Sequence, residues 1–170
     1  DLNGDHLVDI VTADNYASNI SVLLGSNDGT FILQSSHSTG AYSFPRSLAL
    51  ADFDNDQQSD VVVINYRADN VIVFLGYNAS DFRSQQTYLV ERGSNPRAVA
   101  VADMNNDGQA DIVLVDDEAS NVGVFYGRGN GSFANEKTWS TRYAPGPACV
   151  ILQDINQDNR LDVIVANDIG

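Results

Sequence analysis

Apolar residues occur in short runs between polar turns, and the same succession of runs returns every 51 residues. One series covers residues 10–13, 61–64, 112–115 and 163–166, and a second covers 20–25, 71–76 and 122–127. A third series, opened each time by proline, covers 45–51, 96–102 and 147–153. The runs are rich in β-branched residues, and none has a 3.6-residue apolar period long enough for a helix. The pattern therefore predicts strands.

Each unit holds about four such strands joined by short loops, which predicts an antiparallel meander. The continuous apolar run at 61–64 indicates a strand that is covered on both faces. One small sheet cannot bury both faces alone, so units of this kind pack on their neighbours. We expect an all-β fold of tandem antiparallel four-stranded blades, either a β-propeller or a propeller-like repeat array, with about 3.3 repeats in this chain.

The chain divides into two whole units and two partial ones. Residues 45–95 and 96–146 are whole, residues 1–44 lack the opening strand, and residues 147–170 hold only the first half of a unit. The two ends occupy the same part of the repeat, so they cannot complete each other within one simple ring. We expect the chain to continue in the native protein, or copies of it to pack end to end; an open stack or fibre joined through edge strands is the alternative architecture.

A second repeated pattern lies in the loop before each 10–13-type run. The segment Asp-x-(Asn/Asp)-x-Asp-x-x-x-Asp opens at Asp1, Asp52, Asp103 and Asp154. Side-chain oxygens at positions 1, 3, 5 and 9, with the backbone carbonyl at position 7, can converge on one point. Calcium takes six to eight oxygen ligands, whereas zinc prefers His or Cys and a dedicated protein cage suits magnesium poorly. The loops predict up to four Ca²⁺ sites; the alternative is Asp/Asn-rich turns without metal.

The candidate ligands follow directly from that register. They are Asp1, Asn3, Asp5, Leu7 and Asp9; Asp52, Asp54, Asp56, Gln58 and Asp60; Asp103, Asn105, Asp107, Gln109 and Asp111; and Asp154, Asn156, Asp158, Arg160 and Asp162. Position 6 favours a positive φ, which Gly108 and Asn159 accept more easily than His6 and Gln57. The extra carboxylate of Asp54 is expected to raise the affinity of the second loop.

The charge of the chain has a local origin in these loops. The net charge is -14, the pI is about 4.1, and thirteen of the 23 acidic residues belong to the four loops. A nucleic-acid partner is excluded, because phosphate binding needs clustered Lys and Arg. The chain has no 18-residue apolar run, so no membrane insertion is expected. The single cysteine, Cys149, shares a repeat position with Ser47 and Ala98, which predicts a small buried residue, with an interchain disulfide as the alternative.

No catalytic signature is visible. The two histidines, His6 and His37, have no histidine at the matching repeat positions, and no nucleophile elbow, phosphate loop or zinc motif occurs. We therefore expect no enzyme activity. His37, Tyr88 and Trp139 share one repeat position, which predicts packing between blades, with a sugar- or partner-binding stripe as the alternative. Sequons at Asn19, Asn78 and Asn130 are candidate glycosylation sites in or beside turns.

The acidic loop, the strand after it, and runs such as residues 127–133 resemble the FG-GAP and VCBS repeats. The resemblance covers the entire chain. It implies the calcium-binding β-propeller of integrin α subunits and of large extracellular adhesion proteins. We therefore expect a calcium-stabilised, non-catalytic protein, secreted or at the cell surface, that serves adhesion, scaffolding or matrix and fibre assembly, with a protein or glycan ligand. The alternatives are a lectin-type propeller or a non-catalytic module of a larger secreted enzyme.

Overall fold

The computed structural model describes residues 1–78, 80–141 and 146–168 and contains strands arranged in four antiparallel sheets. Sheet 1 is β1 (Ile10–Asp14), β2 (Asn19–Gly25) and β3 (Phe31–Ser38). Sheet 2 is β4 (Pro45–Ala51), β5 (Asp60–Asn65), β6 (Asn70–Tyr77) and β7 (Phe82–Leu89). Sheet 3 is β8 (Pro96–Ala102), β9 (Asp111–Asp116), β10 (Asn121–Phe125) and β11 (Lys137–Ser140). Sheet 4 is β12 (Pro147–Gln153) and β13 (Asp162–Asn167).

Helix is confined, among these residues, to one 3₁₀ turn at Asn15–Ala17. None of the described segments forms a helix of the length and apolarity that a membrane span requires. The all-β prediction is therefore confirmed, and strands run in chain order within every sheet, as an antiparallel meander requires. The sheets follow one another as an open, propeller-like array in which β4, β8 and β12 lie side by side.

Strand β5 shows why the apolar runs are continuous. Every residue of β5 is buried, because sheets lie on both of its faces. Val61 and Val63 pack in the core shared with sheet 1, and Val62 and Ile64 pack in the core shared with sheet 3. An alternating pattern would leave one face polar, so the covered strand needs apolar residues at successive positions.

The aromatic repeat position packs between sheets, as the sequence predicted. The His37 ring lies 4.9 Å from that of Phe82, and the Tyr88 ring lies 5.4 Å from that of Phe133, which is the equivalent residue one unit later. Both pairs meet edge to face, the arrangement that aromatic quadrupoles favour. Trp139 holds the same position in sheet 3 but is 50% exposed, since sheet 4 has no described strand in the place of Phe133.

The prediction that Cys149 is a small buried residue is wrong. Its equivalents Ser47 and Ala98 are partly covered by the sheet that follows, and the Ser47 hydroxyl accepts a hydrogen bond from the Val99 amide at 3.4 Å. Cys149 lies on β12 in the last described sheet, where no later sheet covers it, and it is exposed as a free thiol.

Candidate metal centre

The four acidic loops share one internal hydrogen-bond pattern. In the third loop, the Asp103 carboxylate accepts the amides of Asp107 and Gly108 at 3.1 and 2.7 Å, and Asp107 accepts the amide of Gln109 at 2.9 Å. The second and fourth loops repeat these bonds, and the first loop differs in that the Gly4 amide takes the place of the position-5 amide at Asp1; the donor-to-acceptor distances are 2.7–3.2 Å. Positions 1 and 5 therefore fold the chain round one point and turn their carboxylates inward.

Two positions of each loop adopt left-handed backbone. Position 6 has φ of 67° at His6, 66° at Gln57, 81° at Gly108 and 64° at Asn159, which confirms the predicted positive φ. Position 4 is also left-handed, at Gly4, Asn55, Asn106 and Gln157, and the sequence analysis did not anticipate this. Three of those four residues are Gly or Asn, the types that tolerate this conformation best, so the signal was present in the sequence.

Position 9 has a structural role that the ligand assignment did not include. Asp60 is fully buried, and its two carboxylate oxygens accept the backbone amides of Phe53 at 2.8 Å and Gly76 at 2.7 Å. Asp9 and Asp111 make the equivalent pair of bonds, and Asp162 accepts the amide of Ile155. Each oxygen has a second lone pair, so these bonds leave capacity for a cation.

Burial raises the pKa of two of these carboxyls, Asp60 and Asp111. It raises the pKa of Asp60 to about 6; the amide bonds from Gly76 and Phe53 oppose the rise, and the charges of Asp54 and Asp56 add to it. Burial likewise raises the pKa of Asp111, against the amide bonds from Gly127 and Met104. Such a group is costly to ionise without a counter-charge, and a bound divalent cation supplies one.

The second loop brings its carboxylates closest together. Oxygens of Asp52, Asp54 and Asp60 lie within 4.8 Å of one another. One oxygen of Asp54 is buried and has no hydrogen-bond partner within the described ranges. An all-oxygen cluster with an unpartnered carboxylate oxygen fits a hard cation such as Ca²⁺. The carbonyls of Leu7, Gln58, Gln109 and Arg160 were predicted as further ligands, and no contact in the structure tests that assignment.

The other three loops carry Asn where the second carries Asp54. The amides of Asn3, Asn105 and Asn156 donate to the position-5 carboxylate at 2.9, 2.9 and 3.2 Å. Those loops are therefore braced by a neutral donor at position 3. In the second loop, Asp54 stands in the place of this donor and adds a negative charge.

A side chain that the sequence analysis missed provides the compensation. Arg83, at the start of β7, forms ion pairs with Asp54 and, at 3.1 Å, with Asp56. The equivalent positions in the neighbouring units are Ile32 and Ala134, so the arginine occurs only in the unit that has the extra aspartate. The pairing of two unit-specific residues was readable from the repeat alignment. Arg83 therefore compensates the charge of Asp54, and the higher calcium affinity expected from that charge stays a prediction.

The second loop also contacts the next sheet. The Asn55 amide donates to the Gln109 side-chain oxygen at 2.7 Å and to the Gly129 carbonyl at 3.1 Å. The Gly131 amide donates to the Phe53 carbonyl at 2.9 Å. A ligand that orders this loop would therefore also order the junction between sheets 2 and 3.

Comparison with known proteins gives one matching family and several solved structures that share the fold of this chain. The family model of the FG-GAP-like repeat matches residues 1–63, 52–114 and 103–165, in the same 51-residue step as the acidic loops. No curated protein matches the chain in sequence.

Several solved structures share the fold at low sequence identity. A protein from Lactobacillus plantarum superposes with a TM-score of 0.71 and 17% identity over 94% of this chain and 54% of its own. A putative 6-phosphogluconolactonase from Bacteroides uniformis gives 0.65 and 19% over 85% and 43%. Virginiamycin B lyase from Staphylococcus aureus gives 0.59 and 12% over 88% and 43%. The chain thus spans about half the length of these propeller-like proteins, and the likeness concerns fold alone.

Proposed function

This chain belongs to the FG-GAP-like repeat family, and we propose that it is a calcium-stabilised, non-catalytic repeat protein that works outside the cell in adhesion, scaffolding or matrix assembly. The observation that supports calcium is the convergence of Asp52, Asp54 and Asp60 within 4.8 Å. One oxygen of that cluster is buried without a hydrogen-bond partner among the described residues. Calcium bound there would neutralise carboxylates that otherwise repel one another and would hold the loop against sheet 3.

The repetition of the loops supports a structural role. The same loop geometry occurs in every unit, whereas acid–base chemistry needs one distinct pair of groups in a cleft. His37, the partly buried histidine, packs against Phe82, and burial lowers its pKa. The enzymes with the same fold share less than a fifth of their residues with this chain, so their chemistry does not transfer.

Calcium addition is expected to raise the melting temperature and to bind at up to four sites, with chelated protein as the reference. When the free calcium concentration is a hundredfold above Kd, each occupied site adds about 2.7 kcal/mol to the free energy of unfolding. Asp107→Asn should weaken one site and lower the calcium-dependent part of that rise. Asp28→Asn is the matched control, since Asp28 lies in an exposed turn outside the loops. Identical stoichiometry and melting in Asp107→Asn and the control would reject the proposal.

Arg83→Ala is expected to strengthen calcium binding at the second loop by roughly three- to tenfold, because the guanidinium competes for Asp54 and Asp56. The effect should be largest at low salt. Amide signals of Phe53 and Gly76, whose N–H groups bond to Asp60, report that loop specifically in a calcium titration by NMR. Arg92→Ala removes an exposed arginine elsewhere and serves as the control. Equal affinities in the two variants would show that Arg83 does not compete.

Secretion and glycosylation form part of the same proposal. Asn78 and Asn130 are exposed, and their side-chain oxygens accept hydrogen bonds from the neighbouring turn. Asn19 begins β2, and its side-chain oxygen is buried, which makes it the poorest acceptor. Residue 79 of the Asn78 sequon lies outside the described residues. After secretion from a eukaryotic cell, a mass that enzymatic deglycosylation leaves unchanged would argue against glycans at these sites.

Further blades, or copies of this chain, are the partners that we propose. Ile32 and Leu33 of β3 are 62% and 63% exposed, and Trp139 is 50% exposed. Ile32 and Leu33 lie on sheet 1, which has a described neighbour on one side, and Trp139 lies on β11 of sheet 3, which the two-stranded sheet 4 leaves half uncovered. A stable, compact 18.4 kDa monomer in sedimentation analysis would count against assembly of copies.

A further inference from the structure

A concave pocket of about 360 Å³ lies between sheets 2 and 3, away from the acidic loops. Its aromatic walls are Tyr88 from β7, Phe125 from β10 and Phe133 from the segment between β10 and β11, and Glu136 is the acidic residue that lines it. A volume of this size suits a small organic group. None of these residues belongs to the acidic loops that we propose to bind calcium.

Glu136 reaches into the sheet at a place that a side chain fills in the two earlier units. A Cβ atom on Gly123 would lie 2.0 Å from a carboxylate oxygen of Glu136. Gly123 has no positive φ, so its lack of a side chain is what matters here. The equivalent residues in the earlier units are Ser21 and Ile72, and those of Glu136 are Gln34 and Gln85. A glycine and an acid thus occur together in one unit.

Close to Glu136 lies a second carboxyl group, that of Asp116, whose charge acts on it. Asp116 is 0% exposed, and within residues 1–78, 80–141 and 146–168 neither of its oxygens has a partner with full hydrogen-bond geometry, although the Ser94 hydroxyl is near enough to lower its pKa. Its counterpart Asp14 accepts bonds from the hydroxyls of Thr12 and Ser21 at 2.8 and 2.5 Å.

Both of those donors are absent from the third unit. Leu114 replaces Thr12, and Gly123 replaces Ser21. The Glu136 oxygen that approaches Gly123 is likewise buried and unpartnered within the described residues. Compared with the first unit, the third unit therefore lacks both hydroxyl donors. It retains the carboxyl group of Asp116 and has the additional carboxyl group of Glu136.

Negative charges shift the pKa values of both carboxyl groups. Burial raises the pKa of Glu136 to about 7, and Asp116 and Glu91 raise it further. Burial raises the pKa of Asp116 to about 7, the Ser94 hydroxyl opposes the rise, and Glu91 and Asp69 add to it. A buried carboxyl in such a field gains most from a cationic partner.

We propose that this pocket binds a protonated amine, with Glu136 as the direct counter-ion, Asp116 as the charge close to it, and Tyr88, Phe125 and Phe133 as the aromatic walls. Aromatic faces attract organic cations, and their apolar area accommodates the attached carbon chain. A divalent metal fits less well, because three converging carboxylates occur among the described residues only in the second acidic loop. An anion is excluded by the negative charges around the pocket.

The ammonium group can come from a free amine or from a lysine side chain of a protein partner. The probes are butylammonium, and Nα-acetyl-lysine methylamide as the stand-in for a protein lysine, with 1-butanol as the neutral analogue. Binding is measured by NMR titration at pH 8 in calcium-replete buffer, following the amides of Gly123 and Phe133. Saturable binding of either amine supports the proposal, and the tighter of the two identifies the source. The proposal is overturned if 1-butanol binds with the same affinity as the amines, or if neither amine binds.

Glu136→Gln provides the direct test, since glutamine occupies this position in the two earlier units. It is expected to weaken amine binding by roughly ten- to a hundredfold. The control is Glu118→Gln, which removes an exposed acid of the same type. Asp116→Asn keeps the direct counter-ion and should weaken binding by a smaller factor, so the proposal remains testable if one variant folds poorly. Unchanged affinity in both pocket variants would overturn the proposal.

Discussion

Replacing Asp60 with alanine is expected to lower the free energy of unfolding by about 2–4 kcal/mol, even when calcium is chelated. The carboxylate accepts the amides of Phe53 and Gly76, and alanine would leave both N–H groups in a buried site without an acceptor. The loss is partly offset, because removing a carboxyl whose pKa burial has raised to about 6 also removes a desolvation cost. Urea denaturation at pH 7 with and without chelator measures the effect.

Asp56→Ala is the matched comparison for Asp60→Ala. Asp56 belongs to the same loop, but its bonds to Gln58 and Arg83 lie at an exposed site. With calcium chelated, this change should cost less than about 1 kcal/mol, whereas with calcium present both variants should lose the contribution of the metal. If the two variants are equally stable in chelator, Asp60 acts as a ligand only, and the structural role assigned here is wrong.

The protein is expected to lose stability as pH rises from about 4 to about 7 through Asp116, and Asp116→Asn should remove that loss. The folded pKa is about 7 against 3.8 for the ordinary group. Within this window the folded state holds a proton that the unfolded state has released. Stability from this residue is therefore greatest at low pH and declines as pH passes the folded pKa. Asparagine has no charge to desolvate and already occupies the equivalent positions 65 and 167.

Asp116→Asn should accordingly be more stable than the parent at pH 8, by as much as about 4 kcal/mol, and should differ least from it near pH 4. Denaturation curves of both proteins across pH 4 to 8, in chelator and without amine, isolate this term from the calcium loops. Asp117→Asn is the control, since Asp117 is paired with Arg97 and only partly buried. A difference between Asp116→Asn and parent that does not change with pH would show that Asp116 is satisfied in the folded state.

The repeats serve as internal controls for one another, and their differences identify the unusual residues. Asp54 and Arg83 occur together in the second unit, and Gly123 and Glu136 occur together in the third. Each pair joins positions that are distant in sequence but in contact in the fold. Both pairs place charge where the other units are neutral, so they are the places where one unit can acquire a property that its neighbours lack.

The sequence alone determined the strands, the 51-residue unit and the register of the acidic loops. These features depend on local periodicity and short spacing: a run such as 61–64 indicates a doubly covered strand, and the left-handed backbone at position 6 follows from the turn that Gly108 and Asn159 accept. Family membership follows from the same motifs.

Only the tertiary structure decided which groups meet when distant parts of the chain come together. It placed Arg83 on the second loop, brought the amides of Phe53 and Gly76 to Asp60, exposed Cys149, and buried Asp116 without the two hydroxyl donors that its counterpart Asp14 has. The exposure of Cys149 depends on whether another sheet lies beside it, whereas the contacts of Arg83 and Asp60 join residues of one unit that are distant along the chain. Burial and partnership arise from such contacts in space, whereas a repeat pattern describes spacing along the sequence.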